Sequence, residues 1–144
     1  LPWRLQPDIA GGGYFYDLAA HQLDLLQYLF GVITRAHGYP TNRGGLYKAE
    51  DNISACFMFE SGIAGSGSWC FVGHKSAKEV FNYDPIKIVT EEGTRSIRIP
   101  NPPHVQMPLI KNVTEHLQGY GHCMCDSISA TPVNWVMDRI LWKL

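Results

Sequence analysis

Asp17, His21 and Asp24 stand four and three residues apart inside the stretch Gly11 to Gly31, which reads GGGYFYDLAAHQLDLLQYLFG. Helical spacing places them within roughly 80° of one another, in a stripe completed by Tyr14 and Tyr28. An imidazole titrates near neutral pH and suits a general base or acid. A carboxylate four residues away on the same face can fix its tautomer and favour the imidazolium. His21 is therefore the candidate proton-transfer group, Asp17 its partner and Asp24 a ligand for a substrate hydroxyl. Arg4 is a further candidate, for an anionic substrate group. Each has a plainer reading. An Asp–His pair on a helix is often a satisfied structural hydrogen bond, and a lone Arg near a terminus is often a surface ion pair. A metal accepts the ligand types of Asp17, His21 and Asp24, but nothing else converges on them, and none is assigned.

The stripe must be carried by a helix, predicted from Tyr14 to Phe30. Phe15, Leu18, Leu23, Leu25, Leu26, Leu29 and Phe30 cover most of its circumference, so it is expected to have almost no surface face. Burying ionisable groups unpaired is expensive, which is why the stripe calls for partners or a ligand. Three glycines at the entrance each cost backbone entropy, but they let another backbone or a ligand approach closely. Trp3, Tyr14 and Tyr28 could stack on a sugar ring, although aromatics at such positions are more often core.

After Gly31, a plausible helix stop, Val32 to Tyr39 reads as a strand and Pro40 to Tyr47 as a glycine-rich loop. Asn52 to Glu60 alternates cleanly, with Ile53, Ala55, Phe57 and Phe59 on one face. Ser61-Gly62 turns the chain, and Ile63 to Val72 returns beside it with little bulk at Gly65, Ser66, Gly67 and Ser68, as suits a helix or ligand packed close over the sheet. Lys78 to Tyr83 is a possible strand. Ile86 to Thr90 and Thr94 to Ile99 form a hairpin across Glu91-Glu92-Gly93. Val105 to Leu117 and Thr131 to Leu144 are predicted helices, the second beginning with Pro132 in its first turn. Strands that run consecutively argue for an α+β fold, an open and mostly antiparallel sheet with helices packed on one face. Ser54, Cys56 and Met58 with the Gly/Ser row could form a subunit interface, the alternative being a helix that covers them.

The composition narrows the partners. At 144 residues this is one domain, and a formal charge of −1 leaves no electrostatic footprint for nucleic acid or an anionic membrane. No apolar run approaches the roughly 18 residues of a membrane span. The chain opens LPWRLQPD without Met and reads as part of something longer, with no signal peptide in view. Cys56 and Cys70 are expected to behave as small core residues. His122-Cys123-Met124-Cys125 is a weak metal signal beside an exposed loop with incidental thiols. The Asn-x-Ser/Thr triplets at Asn52 and Asn112 are not taken as glycan sites. Gly11-Gly12-Gly13 has neither the preceding strand, the spacing nor the later acid of a dinucleotide fingerprint, so this domain is not expected to bind a dinucleotide alone.

The pattern GGGxxxDxxxHxxDxxxxxxG from Gly11 to Gly31 resembles the C-terminal domain of the glucose–fructose oxidoreductase, inositol dehydrogenase and rhizopine-catabolism family (Gfo/Idh/MocA). Trp3-Arg4, the succession from Ala49 to Trp69, the turn from Pro100 to Ile110, and NWVMDRIL from Asn134 to Leu141 extend the resemblance over nearly the whole chain. It departs between Ser76 and Pro85, where this chain is shorter than most members. The resemblance implies that residues 1–144 are the substrate-binding and oligomerisation half of a two-domain enzyme. Its N-terminal Rossmann domain, absent here, would bind NAD or NADP and supply a catalytic Lys. The enzyme would transfer hydride between a sugar or cyclitol hydroxyl and nicotinamide, with Asp17 and His21 at the substrate and Asp24 on its hydroxyls. It further implies a sugar or polyol ligand and a homo-oligomer built through the sheet face, and the expected compartment is the cytoplasm. The fragment by itself should be inert. The alternative is a non-catalytic sugar-binding or assembly domain of the same fold.

Overall fold

Alternation along Asn52–Phe59 organises the larger part of the molecule: Ile53, Ala55, Phe57 and Phe59 are buried while Ser54 and Cys56 between them are exposed. The computed structural model describes residues 1–72, 86–98, 100 and 102–143. In chain order these form a 3₁₀ turn (Trp3–Leu5), α1 (Pro7–Ala10), a π-helical turn (Phe15–Ala19), α2 (Ala20–Phe30), β1 (Ile33–Thr41), β2 (Asn52–Phe59), β3 (Ala64–Cys70), β4 (Ile86–Thr90), β5 (Gly93–Ile97), α3 (Met107–Leu117) and α4 (Ser127–Ile140). The chain divides into two units, Leu1–Gly73 with Cys125–Leu144, and His74–Met124.

In the first unit β1, β2 and β3 form an antiparallel sheet in that order. Pro40 falls within β1, an edge strand, where a missing N–H is tolerated. The inner face of the sheet meets Phe15, Ala19 and Leu23 from the helical segment and Val133, Val136, Met137 and Ile140 from α4 in one apolar cluster. Complete burial of a side chain of the size of Phe15 or Leu23 is worth about 1.5–3 kcal/mol, as an upper estimate. α4 comes nearest the sheet at Gly38, where an added Cβ would lie 2.5 Å from Ile140 Cγ2 and 2.6 Å from Ile140 O. The indole of Trp142 then donates to Gly38 O at 2.7 Å. The second unit contains the β4–β5 hairpin, antiparallel around Glu91 and Glu92, and α3. Both ends of the Asn112 amide are bonded there, Nδ2 to His122 O at 3.1 Å and Oδ1 from Met124 N at 3.0 Å.

The α+β architecture and antiparallel sheet are those the strand order predicts, and so is the turn at Gly62, whose N–H donates to Phe59 O. Several expectations are corrected. The site helix is not buried all round: His21, Leu25, Tyr28 and Leu29 are exposed, Tyr28 by 70%. Leu content alone does not say how many neighbours a helix has, and here its inner face already meets the sheet. α4 begins at Ser127, not at Thr131, because Asp126 caps it: its carboxylate accepts from Ile128 N and Ser129 N, and Ser129 Oγ accepts from Asp126 N. Pro132 consequently lies inside the helix, one turn beyond the expected position. The glycines of β3 make room for neither helix nor ligand, since the rings of Phe57 and Trp69 occupy the space above Gly65 and Gly67. Cys56 and Cys70 are exposed and Cys123 is buried, the reverse of the expectation, because Cys56 and Cys70 share the outer sheet face with Ser54, Ser66 and Ser68. The possible strand Lys78 to Tyr83 lies outside the described residues.

Candidate functional site

The three glycines have different partners. Gly11 turns with φ +77° at the end of α1, and its carbonyl accepts from Lys143 Nζ. Gly12 lies under the ring of Tyr16, and an added Cβ would stand 2.3 Å from Tyr16 Cδ2. Gly13 approaches the segment before β2: its own N–H donates to Glu50 Oε1 at 2.9 Å, and a Cβ would meet Ala49 at 2.8 Å. Close approach is what three glycines permit, and here it is the chain itself that approaches.

Tyr16 ties this turn to α4. Its hydroxyl donates to Asp138 Oδ1, and Lys143 Nζ lies 4.5 Å from its ring centre. Burial first, then the hydrogen bond and negative charge of Asp138, push the phenol well above its usual value. A second tyrosine, Tyr47, is pushed up to about 12, by burial first and then by the charge of Asp51. Its hydroxyl is buried and has no hydrogen-bond partner among the described residues. Asp51 itself is fully buried and accepts from Arg43 N at 2.8 Å and Gly44 N at 2.7 Å, which fixes the loop that links β1 to β2.

A π-helical turn, Phe15–Ala19, carries Asp17. It closes hydrogen bonds five residues apart instead of four, so residues before it lose phase with residues after it. Asp17 lies within this turn and His21 beyond it. Asp17 Oδ2 pairs with Arg4 Nε at 3.0 Å, with both side chains partly exposed at 40% and 45%. The Arg4 guanidinium in turn lies 4.8 Å from the ring centre of Trp3, itself 55% exposed. His21 is exposed and Asp24 half-buried, and the hydrogen bonds and ion pairs of the described residues include none between Asp17 and His21. Arg4 and Asp17 thus meet, while His21 and Asp24 follow on α2. Tyr14, half-buried, packs against Tyr47 and Phe71, and Tyr28 is exposed.

Trp3, Arg4, Ala10, Gly13, Tyr16 and Asp17 line a cleft of about 170 Å³. A larger hollow of about 360 Å³ is lined by Tyr39, Thr41, Arg43, Asn52 and Ser54, with no carboxylate or imidazole in that lining. Size alone favours the hollow, but a paired cation and carboxylate beside an exposed indole favour the cleft as the place of recognition. Among the described residues no group of three His, Cys, Asp or Glu side chains could hold a metal ion, and no helix is long and apolar enough to cross a membrane. A dinucleotide pyrophosphate does not fit the Gly11–Gly13 turn: a short helix and not a strand precedes it, and the Glu50 carboxylate already takes the Gly13 N–H. Sequence reasoning missed Glu50, Asp51, Tyr16, Asp138 and Lys143. The triple glycine was the signal that something approaches, but only the tertiary structure says what.

A family profile, the GFO/IDH/MocA C-terminal domain, matches residues 1–95. Oxidoreductase P35 of Formosa agariphila is 28% identical over 148 residues, an alignment that covers 94% of this chain and 46% of that protein. Among solved structures, levoglucosan dehydrogenase in complex with NADH and levoglucosan superposes with a TM-score of 0.76 at 17% identity, over 99% of this chain and 50% of the enzyme. The WlbA dehydrogenase from Bordetella pertussis, in complex with NADH and UDP-GlcNAcA, gives a TM-score of 0.66 at 18% identity, over 91% of this chain and 42% of its own. At such identities the superpositions establish the fold. The chain spans about half the length of the proteins it matches.

Proposed function

The chain belongs to the GFO/IDH/MocA C-terminal-domain family, and we propose that it is the substrate-binding and oligomerisation domain of an NAD(P)-dependent oxidoreductase acting on a sugar or cyclitol hydroxyl. The observation that carries this reading is the constellation at one end of α2. A cleft lined by a cation, a carboxylate and an indole lies at the helical segment that also carries an exposed imidazole, His21. The proposal places the dinucleotide on an N-terminal Rossmann domain, where the nicotinamide accepts the hydride. This chain then serves the substrate side. His21 takes the hydroxyl proton on a ring nitrogen as the carbinol carbon loses hydride. Asp17, four residues earlier, supplies the negative charge that favours the imidazolium, and Arg4 holds that carboxylate in place. Asp24 accepts from a further substrate hydroxyl. The NADH complexes of the two dehydrogenases above support the cofactor class, and levoglucosan and UDP-GlcNAcA support a carbohydrate substrate.

Two finer points belong to the same proposal. The outer face of β1–β3, with Ser54, Cys56, Ser66 and Ser68 exposed, supports assembly into a homo-oligomer, which light scattering of the protein in solution tests directly. Cys56 and Cys70 as free thiols support a cytoplasmic location. The deciding experiment is cofactor reduction by the full-length protein across a panel of sugars and cyclitols, wild type beside His21→Ala. Loss of about 10²–10⁴ in turnover is the expected result for a general base. Undiminished turnover removes His21 from the mechanism. Absence of turnover with every substrate favours the second reading, a sugar-binding or assembly domain, for which the exposed sheet face is the specific support.

A further inference from the structure

We propose that the Trp3–Arg4–Asp17 cleft is a subsite for an uncharged vicinal diol, and that it selects neutral sugars or polyols over acidic ones. The inference rests on the oxidoreductase reading for the presence of a sugar beside α2, and it goes further in stating which class that sugar belongs to. The carbohydrate ligands of the structural neighbours do not decide this, since levoglucosan is neutral and UDP-GlcNAcA is an acid. The local charges do.

A free arginine beside an indole would recruit a carboxylate or phosphate. Arg4 is not free in that sense, because its Nε is held by Asp17 Oδ2 at 3.0 Å. The pair brings one positive and one negative charge to the cleft. The charged groups that bond to or stack on its other lining residues are Lys143, which stacks on Tyr16, Asp138, which accepts from Tyr16, and Glu50, which accepts from Gly13. Two carboxylates against one ammonium leave the surroundings negative. An anionic ligand that reached the terminal nitrogens of Arg4 would face the Asp17 carboxylate itself, with Glu50 and Asp138 bonded to other residues of the same lining.

What the pair leaves open suits hydroxyls. Arg4 retains the N–H groups of its terminal nitrogens, and Asp17 retains Oδ1 as an acceptor. A donor and an acceptor held side by side match two neighbouring hydroxyls, one accepting from the guanidinium and the other donating to the carboxylate. Trp3 adds a flat apolar wall, more than half exposed, and its contact with the guanidinium holds Arg4 flat before a ligand arrives. The cleft volume of about 170 Å³ falls below the roughly 300 Å³ at which ligand pockets begin, so the subsite takes one edge of a sugar ring and not the whole of it.

The test is calorimetric titration of the full-length protein, saturated with NAD or with NADP. The probes are D-glucose against D-glucuronate and D-galactose against D-galacturonate, with myo-inositol as a cyclitol. The wild type is expected to bind the neutral member of each pair at least about tenfold more tightly. Asp17→Asn keeps an amide of the same shape and leaves Arg4 uncompensated, so it should close or invert that gap. Arg4→Leu should weaken the neutral ligands without gaining any for the uronates. Equal or tighter uronate binding in the wild type overturns the inference. So does a preference that Asp17→Asn leaves intact, or failure of every probe to bind. Cofactor reduction followed in parallel separates the two readings. Neutral sugars that bind without reducing the cofactor count against the oxidoreductase and support the subsite. Reduction by uronates alone supports the oxidoreductase and overturns the subsite.

Discussion

Gly38→Ala should destabilise the domain, although a methyl group added to a glycine with open space above it and a backbone that suits alanine would do the opposite. Three effects compete. Replacing Gly removes backbone freedom from the unfolded chain and favours folding by about 0.4–1 kcal/mol where the native backbone suits alanine. Against this, the new Cβ would lie 2.5 Å from Ile140 Cγ2, 2.6 Å from Ile140 O and 3.1 Å from Ile140 Cα. Overpacking of this kind costs about 1–3 kcal/mol, and the upper end applies because two of the three atoms are backbone that no rotamer change can move. The shift of α4 also strains the bond from Trp142 Nε1 to Gly38 O, worth about 1 kcal/mol. The balance is a loss of about 2–3 kcal/mol, or about 5–10 °C in Tm for a chain of this length. Urea and thermal unfolding followed by circular dichroism, with tryptophan fluorescence reporting on Trp142, measures it. Ile140→Ala in the same chain removes only the Cγ2 contact, so it should relieve part of the Gly38→Ala cost in a double-mutant cycle. Unchanged or increased stability of Gly38→Ala refutes the crossing of α4 over β1 at this position. Complete relief by Ile140→Ala refutes the argument that backbone atoms dominate.

Three further outcomes follow from the tyrosine and carboxylate beside the β1–β2 loop. Tyr47 has a folded pKa of about 12 against 10.0 in the unfolded chain, so above pH 10 the unfolded state loses its proton first. Stability should therefore be constant up to about pH 10, fall between pH 10 and 12, and fall less in Tyr47→Phe, as urea midpoints across that range would reveal. The same variant should be neutral or more stable by about 1 kcal/mol at pH 7, since it removes a buried hydroxyl that lacks a partner among the described residues. Asp51→Ala loses two charge-assisted bonds to Arg43 N and Gly44 N and should cost about 2–4 kcal/mol, with Asp51→Asn losing less because one acceptor oxygen remains. An Asn variant as damaged as the Ala variant would mean that charge and not hydrogen bonding holds the loop.

The elements set by short-range pattern were legible without coordinates. Period-two alternation in β2, the turn at Gly62 and the consecutive order of the strands depend on neighbours in sequence, and alternation allows only one face to the core. The start of α4 is written in Asp126 and Ser129, a capping box that sets the helix start ahead of Pro132. The residue types at the site were equally plain, because Asp17, His21, Asp24 and Arg4 are among the few ionisable groups of an apolar neighbourhood. What they touch was not. A π-helical turn has no simple period signature, and the Arg4 partner of Asp17 comes from a separate 3₁₀ turn nearer the start of the chain. Glycines announce that something comes close, while the identity of the neighbour, Glu50 for Gly13 and Ile140 for Gly38, depends on chain folded back from 37 and 102 residues away. Sequence by itself determined the strands, the helices and the chemical inventory, because those follow from local sterics and from which side chains water excludes. Tertiary structure decided the pairings, because an ion pair, a steric contact and a buried hydroxyl are properties of distance in space.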